Sequence, residues 1–157
     1  MQDFPYRKCV AVLVLNGSMV FVGKRVDVDE AWQLPQGGVD DDENYLDAAK
    51  RELFEETGIS TVEPLGSTGI HRYDYPLYVQ RIIQKRRNRL EYIGQEVFFW
   101  AFRFLGNEEE IDIQKEPREF MEWKWLSIPE LIRCIVPFKR RAYRNAISDF
   151  YRKNILS

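Results

Sequence analysis

The sequence has little cysteine, a single histidine and no long apolar run. Its two cysteines, Cys9 and Cys134, are far apart and form no Cys-x-x-Cys pair, which argues against a disulfide framework or a zinc site. The longest aliphatic stretch, residues 10–15, is too short to span a bilayer. Residues 1–5 lack the basic and apolar regions of a signal peptide. We therefore expect a soluble, cytoplasmic protein with reduced thiols and no membrane contact.

The chain also lacks a strong excess of charge of one sign, since 23 basic and 25 acidic residues give a formal net charge of −2. The net charge therefore does not indicate a protein whose whole surface binds nucleic acid, although local charge clusters still matter. Aromatic residues make up 14% of the chain, which is too rich for a disordered protein. Because no repeat or linker is present, the sequence predicts a single domain over residues 1–157.

The order of apolar patterns predicts a mixed α/β domain, with helices packed on a sheet. Residues 10–15 and 20–22 flank Asn16-Gly17, which predicts a β-hairpin. Residues 68–80, 92–105 and 121–126 are rich in aromatic and β-branched side chains, which is typical of strands.

Three helices are also predicted. The first begins at the acidic residues 40–42 and ends at Gly58. Its apolar face is predicted to comprise Leu46, Ala49, Leu53 and Phe54. Residues 127–134 form a second, short helix capped by Ser127, and a third, amphipathic helix starts at Phe138.

Within the first helix, Glu52, Glu55 and Glu56 stand at positions i, i+3 and i+4, so their carboxylates share one face. Three like charges destabilise an empty helix but become favourable around a divalent cation such as Mg²⁺, which prefers oxygen ligands. Taken alone, the three glutamates fit a solvated acidic face equally well.

The wider spacing around these glutamates is more specific, because nine positions fit one pattern. They are Gly37-x5-Glu43-x7-Arg51-Glu52-Leu53-x-Glu55-Glu56-x-Gly58-Ile59. Residues 37–59 resemble the signature of the Nudix hydrolases without a departure. The resemblance implies the Nudix fold, an α/β/α sandwich around a mixed β-sheet with the signature in a loop–helix–loop. It also implies hydrolysis of a nucleoside diphosphate linked to another group.

The same resemblance implies roles for the signature residues. Glu52, Glu55, Glu56 and the Gly37 carbonyl would bind Mg²⁺, for which Mn²⁺ or another divalent cation can substitute. Glu52 and Glu56 would be catalytic, with Glu56 or a glutamate of another loop assisting the attacking water. Three further residues, Glu43, Arg51 and Gly58, would shape the loop–helix–loop.

Stretches outside the signature resemble the bacterial RNA pyrophosphohydrolases, a group that overlaps with the dinucleoside polyphosphate hydrolases. They are Tyr6-Arg7, 32–38, 73–76, 93–95, Glu119-Phe120, 123–125 and 138–140. Members remove pyrophosphate from a 5′-triphosphorylated RNA end or cleave dinucleoside polyphosphates asymmetrically. One departure is Val97-Phe98, where the group has a Gln-Lys pair, and this change prompts the dinucleoside polyphosphate alternative.

By this likeness, Glu119 would be a further metal-binding or catalytic carboxylate. Three cations, Arg7, Arg25 and Lys139, would contact phosphates, and Phe138 would stack on a base. The competing interpretations are a solvated acid for Glu119, surface charge for the cations and a core position for Phe138.

Two other features are open to more than one interpretation. The basic run from Arg81 to Arg89 is predicted to be a loop that either tracks an RNA backbone or is simply solvated. We interpret His71, the only histidine, as a strand residue and not as a catalytic base. The hypotheses are thus an RNA pyrophosphohydrolase, a dinucleoside polyphosphate hydrolase or a catalytically silent binding module, with no obligate protein partner evident.

Overall fold

The structure is a computed structural model that describes residues 5–28 and 30–157. The prediction that the first five residues are not a signal peptide concerns mostly residues 1–4, which lie outside the described residues. Seven strands in this part of the chain form one sheet, with the central order β3-β2-β1-β6-β5. The strands are β1 (Tyr6–Asn16), β2 (Met19–Arg25), β3 (Trp32–Gln33), β4 (Gln36–Gly38), β5 (Val62–Asp74), β6 (Gly94–Phe104) and β7 (Phe120–Ser127).

The sheet is mixed because its two central strands, β1 and β6, run parallel whereas the other pairs are antiparallel. Strand β4 also pairs with β1, and β7 pairs with β2. The predicted hairpin is confirmed, since Leu15 lies opposite Val20 and Gly17 adopts a left-handed conformation with φ of 62°.

Strand β1 explains how the core is divided between the two faces of the sheet. Its odd-numbered apolar residues from Cys9 to Leu15 pack on one face, and Val10, Val12 and Val14 pack on the other. Successive strand side chains point to opposite faces. The unbroken apolar run at residues 10–15 therefore reflects a strand that is buried on both sides.

Helices cover both faces of this sheet. The first, α1 (Tyr45–Thr57), buries Ala48, Ala49 and Leu53 against Val10 and Val12. On the opposite face, α3 (Ile128–Cys134) and α4 (Pro137–Arg152) pack their apolar residues. The predicted α/β/α arrangement is thus confirmed.

The start of α1 differs from the prediction that the acidic residues 40–42 begin it. Asn44 is the N-cap, and its side chain accepts a hydrogen bond from the Asp47 backbone N–H at 2.8 Å. Residues 40–42 lie in the preceding turn. Phe54 was also placed wrongly on the apolar face, because it is 47% exposed and the Lys115 ammonium lies over its ring.

The prediction of a strand over residues 68–80 followed by a basic loop is wrong in its second half. Strand β5 ends at Asp74, and helix α2 (Leu77–Arg87) starts directly after Pro76. Most of the run from Arg81 to Arg89 is therefore helical. The β-branched residues of this segment suit a strand, but Pro76 fits a helix start and the apolar side chains also recur at helical spacing.

The predicted cap of the second, short helix is confirmed. Ser127 caps α3 by accepting from the Glu130 backbone N–H at 3.3 Å. Cys9 and Cys134 are both free. Within residues 5–28 and 30–157, none of the helices combines the length and the apolar character that crossing a membrane requires.

Candidate active site

A cleft of about 860 Å³ lies beside the sheet, where β4, the start of α4 and helix α2 meet. The signature supplies Gly37, Glu52 and Glu56 to its lining. The other walls carry cations and aromatic side chains from distant parts of the chain. The cleft therefore brings together residues of the signature and residues of its flanks.

Three of the predicted carboxylates line this cleft, namely Glu52, Glu56 and Glu119. Glu119 precedes β7, and its backbone carbonyl accepts from the Val26 N–H at 3.0 Å, which fixes it beside the end of β2. The fourth, Glu55, lies outside the lining, with its side chain 56% exposed and 3.3 Å from the Arg51 guanidinium. The predicted set is thus brought together except for Glu55.

The backbone of Gly37 lies directly against the carboxyl group of Glu52. A Cβ added at this glycine would overlap that carboxyl group. A larger residue at this position would therefore require the Glu52 side chain to move. The sequence pattern marked Gly37 for its carbonyl, and the structure adds this steric reason.

Glu56 is a buried carboxylate with only 7% of its surface exposed. One of its oxygens accepts from the Gln36 backbone N–H at 3.2 Å, and within the described part of the chain it forms no ion pair. Burial raises the pKa of the Glu56 carboxyl well above its usual range, and the charges of Glu52 and Glu119 raise it further. A divalent cation would supply the missing positive charge.

Arg51 connects most of the other acidic groups of the signature. Its guanidinium donates two hydrogen bonds to Glu43, at 2.8 and 2.9 Å, and one to the Gly38 carbonyl at 2.9 Å. It also donates to Glu52 at 2.8 Å and to Glu55 at 3.3 Å. The hydrogen bonds from the Arg51 guanidinium lower the pKa of the Glu43 carboxyl to about 2. The expected Glu43–Arg51 ion pair is present.

The same contacts bear on how a metal would bind. Among the described residues, no three acidic, histidine or cysteine side chains already converge into a metal cage. Arg51 holds an oxygen of Glu52, but the group that faces the cleft consists entirely of oxygen donors. That donor chemistry and the unpaired charge of Glu56 fit a hard divalent cation.

Lys139 lies on another wall of the cleft, at the start of α4, and is only 5% exposed. The contact of its ammonium with the Gln33 side-chain oxygen is long, at 3.5 Å. Burial, together with the charge of Arg25, lowers the pKa of Lys139 to about 8. An almost unpaired buried cation that faces a cleft fits an anionic ligand.

Arg25 lies at the end of β2 and also lines the cleft. It donates two hydrogen bonds to Asp27, at 2.8 and 2.6 Å. Asp27 in turn lies 3.8 Å from the Arg86 guanidinium of α2. The predicted phosphate contact is thus paired with an acid in this structure.

Aromatic side chains form the apolar part of the cleft near Lys139. Phe138 is half-buried and contacts the Tyr73 ring edge-on, with centroids 5.8 Å apart. The Tyr73 hydroxyl donates to the Gln95 oxygen, and the Gln95 amide donates to the Tyr75 hydroxyl at 2.9 Å. Phe138 therefore packs on the core and also lines the cleft, and its stacking on a base stays a prediction.

The departure at Val97-Phe98 lies away from the cleft. Val97 is buried in the core, and Phe98 packs on the Tyr45 ring with centroids 3.9 Å apart. Polar contact from this strand comes instead from Gln95, which lines the cleft. The altered pair therefore gives no argument for either substrate.

Arg7 and His71 complete the predicted set. Arg7 is exposed at the start of β1, lines the cleft and packs on Gly38, where an added Cβ would lie 2.8 Å from its guanidinium. His71 lies in β5, and its Nε2 contacts Asp149 at 2.7 Å on the α4 side. His71 does not line the cleft, which agrees with its interpretation as a strand residue.

Sequence reasoning assigned no role to several residues of the cleft. Gln36 reaches Glu56 through its backbone, and Gln33 contacts Lys139 through its side chain. Both directly flank the Leu34-Pro35 pair, and the signal that could have found them is the resemblance of residues 32–38 to the RNA pyrophosphohydrolases. The α2 residue Tyr78 was missed because its segment was predicted to be a strand, and Ile82 was missed because it lies in the basic run that was predicted to be a loop.

Comparison with known proteins gives a consistent picture. Residues 5–146 match the NUDIX domain family. An RNA pyrophosphohydrolase of Afipia carboxidovorans is 38% identical, covering 96% of this chain and 95% of its own length. One from Rhizobium meliloti is 43% identical, covering 95% of each chain. The crystal structure of a C. elegans Ap4A hydrolase complex, 18% identical, superposes with a TM-score of 0.64 over 94% of this chain and 98% of its own, which supports the fold.

Proposed function

The chain belongs to the NUDIX family, as the resemblance at residues 37–59 predicted, and from this premise we propose that it removes pyrophosphate from the 5′-triphosphate end of RNA. Members of this family generally act with divalent metal ions. The observation that carries the proposal is one cleft with an all-oxygen acidic group on one wall and the buried cation Lys139 on another. Such a cleft suits a polyphosphate that carries bound metal.

The acidic group would hold the metal, and Mg²⁺ is the ion we assign to it. Glu52, Glu56 and Glu119 would supply carboxylate oxygens, and Gly37 its carbonyl. The unpaired, buried charge of Glu56 supports this assignment. When bound, the metal neutralises phosphate charge and makes a coordinated water more acidic.

The reaction is the in-line attack of water on the 5′ α-phosphorus. The water oxygen forms a bond to phosphorus, the bond to the β-phosphate oxygen breaks, and pyrophosphate departs with that electron pair. Glu56, or Glu119 from its loop, accepts the proton of the water. The RNA is left with a 5′-monophosphate.

Cations of the chain would hold the substrate in place. Lys139, the residue with an almost unpaired ammonium, would bind a phosphate oxygen, and Arg7 would bind another from the start of β1. Phe138 presents an aromatic face on which the first bases can stack. These contacts position the triphosphate against the acidic group.

The proposal is tested by incubating 5′-triphosphorylated RNA with the protein and Mg²⁺. We expect stoichiometric 5′-monophosphate ends and pyrophosphate, and no reaction after chelation of the metal. Intact triphosphate ends, or release of single phosphates only, would refute the proposal.

A dinucleoside polyphosphate is the second candidate substrate. Aromatic residues line the cleft in more than one place, including Phe138 on α4 and Tyr78 on α2, which is compatible with two nucleobases. Diadenosine tetraphosphate would yield ATP and AMP. Measuring kcat/KM for this compound and for triphosphate RNA side by side decides which substrate the cleft prefers.

A further inference from the structure

Helix α2 buries none of its own side chains, although it forms one wall of the cleft. Leu77, Tyr78 and Ile82 are 60%, 59% and 47% exposed. Residues 77–89 contain five basic and no acidic residues in a chain whose net charge is −2. The helix is thus a strongly basic element without a fully buried side chain, and only Val79, Gln80 and Ile83 of it are half-buried.

The basic residues of α2 differ in whether they line the cleft. Arg86 and Arg87 do, together with the aromatic ring of Tyr78 more than two turns earlier. Arg81 and Lys85 are exposed and lie outside the cleft lining. The cleft side of the helix therefore combines an aromatic ring with two guanidinium groups, whereas the outer pair, Arg81 and Lys85, carries charge alone.

We propose that the cleft side of α2 binds the part of the RNA strand that follows its first two nucleotides. Tyr78 stacks on a base, and Arg86 and Arg87 bind the phosphates that come next. This inference rests on the proposed function, since the triphosphate end must lie at the acidic group for the strand to reach α2.

The chemistry of this surface favours single-stranded RNA over other ligands. Proteins that bind single strands combine a basic groove with aromatic side chains on which bases stack. The 11 residues of α2 span about 16 Å, enough for more than one backbone phosphate. A dinucleoside polyphosphate has no backbone phosphates beyond its central chain, so it offers no further phosphates to Arg86 and Arg87 once that chain lies at the acidic group.

Asp27 shows where one of these phosphates would bind. Its carboxylate lies between the guanidinium groups of Arg25 and Arg86, at 2.6 and 3.8 Å. Arginine pairs with phosphate in the same geometry as with a carboxylate. A backbone phosphate of the strand therefore competes with the Asp27 carboxylate for the Arg86 guanidinium, which Asp27 holds only at 3.8 Å.

The experiment compares two triphosphate RNAs, a dinucleotide and a single-stranded 10-mer, with the full chain. The variant R86Q/R87Q removes two charges from the cleft side, and R81Q/K85Q removes the same number from the outer pair of the same helix. We expect R86Q/R87Q to raise KM for the 10-mer about tenfold, with kcat unchanged. Its kcat/KM for the dinucleotide should stay within about twofold of the wild-type value. The control variant R81Q/K85Q should keep the wild-type preference for the 10-mer.

Salt dependence provides a second readout. In R86Q/R87Q, the slope of log(1/KM) for the 10-mer against log[salt] should fall by about 1.4, since each contact to a single strand contributes about 0.7. An equal effect of both double variants, or no preference of the wild type for the 10-mer, overturns the inference while leaving the proposed function intact. A wild-type dimer that R86Q/R87Q dissociates would also overturn it, because α2 would then be a self-association surface. Failure to hydrolyse either RNA refutes the proposed function itself.

Discussion

At the residue scale, Glu56 shows how a functional group is kept in an unfavourable environment. Its carboxylate is 7% exposed and close to other acids, so its ionised form destabilises the folded protein in the absence of metal. Because the folded-state pKa is raised, this group contributes stability when protonated, at low pH, and that contribution is lost as pH rises through the folded pKa. The metal-free protein therefore bears a penalty that grows as pH rises from the ordinary glutamate value toward the raised pKa of Glu56.

We predict that Glu56→Gln lowers kcat by about 100-fold or more, the range expected for loss of a positioned proton acceptor. The neutral amide removes the charge penalty, so Tm at pH 7 without divalent cations should equal or exceed that of the wild type. The gain should disappear toward pH 4. Calorimetry and an end-labelled RNA assay measure the two effects.

Exposed Glu109 provides a matched control, because Glu109→Gln makes the same chemical change outside the cleft. This control should change neither kcat nor Tm. A lower Tm for Glu56→Gln at pH 7 would mean that the carboxylate stabilises the metal-free fold. If wild type and Glu56→Gln were equally inactive on all polyphosphates, the chain would be a binding module.

Lys139 is also an ionisable side chain in an unfavourable buried environment, but its charge is positive. Its pKa is lowered to about 8, so below that pH its charged form destabilises the folded state relative to the unfolded chain. As pH rises from about 8 toward the ordinary lysine value, Lys139 loses its proton in the folded state but keeps it in the unfolded chain. The penalty on the folded state therefore disappears over this range. Stability should therefore rise over that window, because the unfolded chain binds the additional proton.

We predict that Lys139→Met stabilises the protein at pH 7, on the order of 1–3 kcal/mol, since one pKa unit corresponds to about 1.4 kcal/mol. The gain should shrink as pH approaches 10. The wild-type kcat/KM should fall above about pH 8, where the free protein loses this cation, and the variant should lack that limb. Identical pH profiles for the two proteins would remove Lys139 from substrate binding.

At the element scale, the close approach of β4 to α1 sets the position of Glu52. The two elements meet at Gly37, where an added Cβ would overlap the Glu52 carboxyl group and force that side chain to move. We predict that Gly37→Ala displaces Glu52 and lowers kcat by about 10- to 100-fold, the range that follows from a displacement of about 1 Å. Overpacking should also lower Tm by several degrees.

Gly69 in β5 is the matched control, because an added Cβ there meets no atom within 4 Å. Gly69→Ala should leave kcat unchanged. A fully active Gly37→Ala variant would show that the position of Glu52 does not depend on this contact.

The same scale shows what the sequence could and could not predict. Helix α1 was predictable because its glutamates, its C-cap Gly58 and its buried residues all point to a helix at one spacing. Helix α2 was not, since its β-branched residues suit a strand and it has no packing that selects one periodicity. Contacts such as Lys139 with Gln33 join residues more than 100 positions apart, and no local pattern encodes them.

At the scale of the whole molecule, the sandwich brings the acidic group and its counter-charges together from separate layers. Helix α1 on one face supplies Glu52 and Glu56, and α4 on the other face supplies Lys139. Strand β4, paired to β1, joins the two layers at the edge of the cleft. Metal binding should therefore stabilise the global fold and not only a loop.

We predict that titration with Mg²⁺ raises the Tm of the wild-type chain without any substrate. Binding to the folded state alone adds about 2.7 kcal/mol at 100 times the dissociation constant, or roughly 5–10 °C for a domain of this size. Glu52→Gln and Glu56→Gln should each reduce this rise by more than half, whereas Glu109→Gln should retain it. A Tm that does not respond to Mg²⁺ or Mn²⁺ would refute the assignment of a metal to these carboxylates, whatever activity the chain shows. A rise that survives both cleft substitutions would place the ion elsewhere, because the cation would then be bound without either of the two carboxylates that α1 contributes to the cleft.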